Sequence, residues 1–78
     1  MKEYGKVKEY NGYYGKITNE KGEDYLLIRE QIIDEDSKLN KNDIVSFVPE
    51  EYYKDEVYEK IARLIRKMPN KMPNKEKK

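Results

Sequence analysis

The chain has 78 residues, enough for one domain. Charged side chains make up 42% of it, yet the net charge is only +1, so the signs are interleaved rather than gathered into one field. Cysteine and histidine are absent, which excludes disulfides, thiol redox chemistry, Cys/His zinc sites and the commonest general base at neutral pH.

Taken in chain order, Tyr4 to Tyr10 alternates as a strand, with Val7 on one face and Lys6, Lys8 and Tyr10 on the other. Asn11-Gly12 is a hairpin signal, since both residue types tolerate the positive φ of a type I′ turn. Tyr13 to Thr18 reads as a second strand, with Gly15 and Ile17 on one face and Tyr14, Lys16 and Thr18 on the other. A second turn spans Asn19 to Gly22. Tyr25 to Arg29 is a third strand, nearly continuous in apolar residues.

Residues 30–42 are irregular, with Ile32, Ile33 and Leu39 as candidate plugs of a core. Asp43 to Val48 reads as a fourth strand, with Val45 and Phe47 on one side, and Pro49 as its end because proline cannot donate to a ladder.

Residues 57–66 support two readings. Val57, Ile61, Leu64 and Ile65 fall on a helical stripe, with Glu56–Lys60 and Glu59–Arg63 as favourable i,i+4 pairs. The number of strands needed to close a barrel favours instead a last strand from Tyr58 to Ile65, with Ala62 and Leu64 inward, and this is the reading adopted. From Lys67 the chain repeats Lys-Met-Pro-Asn and ends in lysines, so residues 67–78 are expected to form a disordered basic tail behind a domain of residues 1–66. Residues 1–65 carry a net −4 and residues 66–78 a net +5.

Gly5-Lys6-Val7-Lys8-Glu9-Tyr10-Asn11 is similar to the G-x-V-K-W-F-N opening, and Tyr14-Gly15-Lys16-Ile17-Thr18 to the F-G-F-I-T motif, of the cold-shock family. Asp24 to Ile32 aligns without a gap to D-V-F-V-H-F-S-A-I, and the segment from Leu39 to Phe47 to L-N-x-G-x-x-V-x-F. Ala62-Arg63-Leu64 stands where the family has its closing strand. The resemblance covers roughly residues 5–66. It implies an all-β, small five-stranded Greek-key barrel of the OB type that binds single-stranded RNA or DNA.

The departures bear on affinity. Glu9 occupies the family's tryptophan position, Lys16 its second phenylalanine and Ile28 its histidine, while Leu26 and Arg29 replace the phenylalanines of the second motif. The resemblance therefore implies weak, low-specificity binding. Lys8, Lys16 and Arg29 are the candidate phosphate contacts, and Tyr10 and Tyr14 the candidate stacking rings. Leu26 and Ile28, on the same outer face, offer an apolar patch for a protein partner or self-association.

Other chemistry finds little support. Asp34-Glu35-Asp36 lacks the spacing of a calcium loop and reads as a solvated acidic segment. Thr18, Ser37 and Ser46 have no histidine to activate them. No enzyme activity, metal or cofactor is expected. Met1 is followed by Lys2, Glu3 and Tyr4, and no run reaches the roughly 20 apolar residues of a membrane span. A cytoplasmic location is the default expectation.

Overall fold

A computed structural model describes residues 1–34 and 38–68. Five strands close into a barrel: β1 (Glu3–Tyr10), β2 (Tyr14–Asn19), β3 (Asp24–Ile28), β4 (Ile44–Lys54) and β5 (Val57–Lys67). Around the barrel the order is β1-β2-β3-β5-β4, with β4 returning to β1. All neighbours are antiparallel except β3 and β5, which run parallel and meet at Leu26 and Ile61. The all-β barrel implied by the resemblance is the observed fold.

The core follows from the alternation. Val7, Ile17, Tyr25, Leu27, Val45, Phe47, Ala62 and Ile65 point inward, and Ile32 and Leu39 plug the barrel from the connection between β3 and β4. Ile33 stays largely exposed, so only one of the paired isoleucines serves as a plug. The Tyr25 and Phe47 rings meet at 5.1 Å between centroids, tilted by 55°, a favourable offset arrangement.

Four details depart from the sequence expectation. The first hairpin is not type I′: Gly12 has φ 101°, but Asn11 does not share the positive φ. Instead Asn11 Oδ1 accepts from the backbone N–H groups of Tyr13 (2.8 Å) and Tyr14 (2.9 Å), so an asparagine side chain sets the turn. Second, β4 does not stop at Pro49. Its pairing with β1 ends at Phe47, opposite Glu3, and from there the strand has an open edge on which proline's missing N–H costs nothing.

Third, residues 57–67 are strand, but with a bulge. Val48 faces Arg63 and Ser46 faces Arg66, so β5 carries one residue more than β4 between these pairs. Leu64 takes φ 52° there and turns outward, leaving Ile65 rather than Leu64 beside Ala62 in the core. Fourth, β5 reaches Lys67, and the Met68 N–H donates to the Ile44 carbonyl at 2.8 Å, so pairing with β4 continues past Ile65, where the last strand was expected to end. The expectations for residues 69–78 and for Glu35-Asp36-Ser37 lie outside the described residues. Among those described, no helix is long and apolar enough to cross a membrane.

Beyond the barrel, β4 and β5 continue as a two-stranded arm in register from Glu50↔Ile61 to Lys54↔Val57. Its two-residue loop, Asp55-Glu56, has φ 51° and 64°. Positive φ at both positions is the mark of a type I′ turn.

Candidate nucleic-acid interface

The outer face of β1, β2 and β3 is set by register. Tyr14 lies opposite Ile28, Lys16 opposite Leu26 and Thr18 opposite Asp24, so each outward residue of β2 has an outward neighbour on β3. Towards β1, Lys16 faces Glu9. A bulge between Val7 and Glu9 changes the phase of β1. Lys8 and Glu9 are both left exposed, and Tyr10 returns to the inner side opposite Gly15.

That phase change corrects the placement of Tyr10 beside Lys6 and Lys8. Tyr10 is half-buried and packs against the core cluster, and its hydroxyl donates to the Gly12 carbonyl at 2.9 Å. Burial pushes the hydroxyl's pKa above its ordinary value, with Arg29 opposing the shift. Gly15 makes this possible. A Cβ on Gly15 would sit 2.0 Å from the Glu9 carbonyl oxygen and 2.8 Å from the Tyr10 Cα. Only a residue without a side chain allows the bulged strand so close.

Tyr14 stands outward at 60% exposure, and Tyr13, its neighbour in the turn, at 62%. Asn11 holds the backbone of both. The Arg29 guanidinium carbon lies 5.7 Å from the centre of the Tyr13 ring, and the Arg29 N–H donates to the Tyr13 carbonyl at 3.0 Å. This is a cation–π contact on a backbone that is itself pinned. A signal for it existed in the sequence: a second tyrosine immediately after Asn11-Gly12, in a turn too short to carry it away.

The cations on this face differ in availability. Lys8 Nζ is 3.2 Å from Asp24 Oδ2, and the Thr18 hydroxyl donates to Asp24 Oδ1 at 2.7 Å. The Thr18 hydrogen bond first, and then Lys8, hold the Asp24 carboxyl below its usual range. Lys16 forms no ion pair among the described residues, although its charge also acts on Asp24. Leu26 and Ile28 are half-buried rather than fully open. Ile61, facing Leu26 across the parallel pair, is buried but stands apart from the core cluster. The face thus joins two exposed tyrosines, two lysines (Lys6 and Lys16) without an ion pair among the described residues, one arginine over the Tyr13 ring, and a Lys8–Asp24 pair that largely neutralises itself.

The chain is similar to the solved structure of drosophila Unr CSD456, which holds cold-shock domains, with a TM-score of 0.71 at 18% sequence identity. The match takes in 99% of this chain and 29% of that one, so the chain spans less than a third of that structure's length. The protein therefore has a cold-shock-like OB fold. No family model matches the sequence, and no curated protein does.

Proposed function

We propose that the outer face of β1–β3 binds single-stranded RNA or DNA, weakly and with little sequence preference, and that the domain is a binding module rather than an enzyme, working in the cytoplasm. The observation that carries this reading is the pair of exposed rings, Tyr13 and Tyr14, beside Arg29 and beside Lys16, which has no ion pair among the described residues. Rings held outward offer base-stacking surfaces that any base can use, and lysine and arginine nearby meet the phosphates. Tyr14 is the main stacking ring, Lys16 and Arg29 the main phosphate contacts, with Lys8 secondary because Asp24 already holds it. Tyr10 supports the platform from its half-buried position.

The test is titration with short labelled oligo-dT and oligo-U across a salt series. Three or so engaged phosphates give a slope of roughly −2 in log K against log salt for a single strand. Tyr14→Ala should cost about 1–3 kcal/mol and leave that slope unchanged. Lys16→Ala should flatten the slope by about 0.7, and Lys8→Ala by less. If wild-type binding is measurable and neither Tyr14→Ala nor Lys16→Ala alters it, the proposed face is wrong. The Leu26/Ile28 surface then becomes the place to look for a protein partner.

A further inference from the structure

The arm formed by residues 50–60 contributes to the core cluster at no position. Tyr52, Tyr53, Val57 and Tyr58 are exposed on it. Isolated two-stranded hairpins are at best marginally stable in water. β1 covers β4 only as far as Phe47, so the outer edge of residues 48–54 is paired to no strand among the described residues. Such an edge is a template for another strand.

The register decides which backbone groups that edge offers. A two-residue loop makes its flanking pair, Lys54↔Val57, the hydrogen-bonded kind. Alternation then turns the N–H and C=O groups of Lys54, Tyr52 and Glu50 toward β5, and those of Tyr53 and Glu51 toward the open edge. Pro49 is the next edge-facing position and has no N–H to offer. The usable edge is therefore short and centred on Tyr52.

We infer that this edge pairs with the same edge of a second copy of the chain, antiparallel about a twofold axis through Tyr52. In that register Glu51 faces the partner copy's Tyr53 twice over, so the edge-facing donors and acceptors of both residues are matched. The side chains agree with the backbone. Glu50 and Lys54, on one face with Tyr52, come opposite each other across the axis, giving two equivalent opposite-charge pairs. Lys54 has no ion pair among the described residues, whereas Glu50 also meets Arg63. Tyr52 packs on its own twofold mate, and Asp55 falls opposite Pro49 rather than another carboxylate. A self-complementary patch of this kind is what a twofold dimer requires. The β5 edge suits this less well: a twofold through Glu59 sets like charges together, and Lys60 is already engaged by Glu23 (3.6 Å) and the Tyr25 ring (5.4 Å).

The chain has no cysteine, so a single introduced thiol reports on one position alone. A twofold through a non-hydrogen-bonded pair brings the Cα atoms to about 4.5 Å, within disulfide range. Tyr52→Cys should oxidise rapidly to a covalent dimer. Lys54→Cys, whose two thiols lie on the order of 13 Å apart in this register, should cross-link at least tenfold more slowly. Sedimentation equilibrium of the unmodified chain should show a concentration-dependent dimer that Tyr52→Lys abolishes, with the folded-state circular dichroism retained. A monomer at all concentrations, or equal cross-linking rates at positions 52 and 54, overturns the proposal. The first result would turn the search to a strand from another protein, and the second to a different register.

Discussion

At the scale of single residues, the fold depends on side chains that satisfy backbone groups. Asn19 is buried. Its Oδ1 accepts from the N–H groups of Lys21 (3.0 Å) and Glu23 (2.9 Å), and its Nδ2 donates to the Glu3 and Glu23 carboxylates. Asn11 sets the first turn in a related way. Both positions were legible as turns, Asn11 from the glycine directly after it and Asn19 from Gly22 three residues on. The turn geometry was not, since Asn-Gly suits a type I′ turn and an asparagine-capped turn alike. Asp24 yields a prediction at this scale. Its folded-state pKa is depressed, by the Thr18 hydrogen bond first and Lys8 second. A depressed carboxyl contributes stability that is present above its unfolded pKa of about 3.9 and is lost as pH falls through the lower folded value. The group is exposed, so solvent keeps the effect small. NMR titration of the Asp24 carboxyl carbon should place its midpoint below that of an exposed aspartate, and Thr18→Val should bring the midpoint back up. An unchanged midpoint in Thr18→Val would mean that Lys8 alone holds the carboxylate.

Among the elements, β2 was readable to within a residue or two because it alternates without interruption, and β3 because a short apolar run follows a turn at Gly22. The two bulged strands were not. In β1 the bulge between Val7 and Glu9 reverses the phase, so Tyr10 turns in where strict alternation turns it out. In β5 the extra residue sets the inward residues Ala62 and Ile65 three apart, while Ile61 is covered separately, opposite Leu26. A spacing of three and four between buried positions is the signature of a helix, and here a bulge in a strand produces it. The pattern therefore could not distinguish the two, and only barrel closure did. Leu64 holds the bulge at φ 52° and is 53% exposed. A leucine in the left-handed region is strained by about 1–2 kcal/mol, and its exposed side chain returns little. Leu64→Gly should leave stability unchanged or raise it by up to about 1 kcal/mol. Leu64→Val, with a β-branched carbon in the same conformation, should lower it by about 1 kcal/mol or more. Chemical denaturation of both variants decides the matter, and a clear loss in Leu64→Gly would mean that the leucine packs where the bulge argument leaves it free.

For the molecule as a whole, the barrel and the arm answer different demands. The buried cluster lies entirely between Val7 and Ile65 and uses no residue from 48 to 60. The arm was missed in the sequence because Pro49 reads as a stop, and a proline on an open edge is not one. The proposed nucleic-acid face draws on β1–β3, and the proposed dimer edge on β4 beyond its contact with β1. These are separable. In a variant lacking residues 53–58, with Tyr52 joined to Glu59 by Asn-Gly, the shortened strands keep the observed register and the new turn is flanked by a hydrogen-bonded pair, as a tight hairpin requires. Every core residue remains, as do the contacts of Lys60 with Glu23 and the Tyr25 ring. The thermal midpoint should therefore move by less than about 5 °C, the shift expected for roughly 1 kcal/mol in a domain of this size. Affinity for a short oligonucleotide that reaches one face should be unchanged, and the dimer should disappear. Loss of oligonucleotide affinity with the fold intact would place part of the binding surface on the arm. A dimer that survives would move the self-association to the barrel, where Leu26 and Ile28 form the half-buried apolar pair on the outer face.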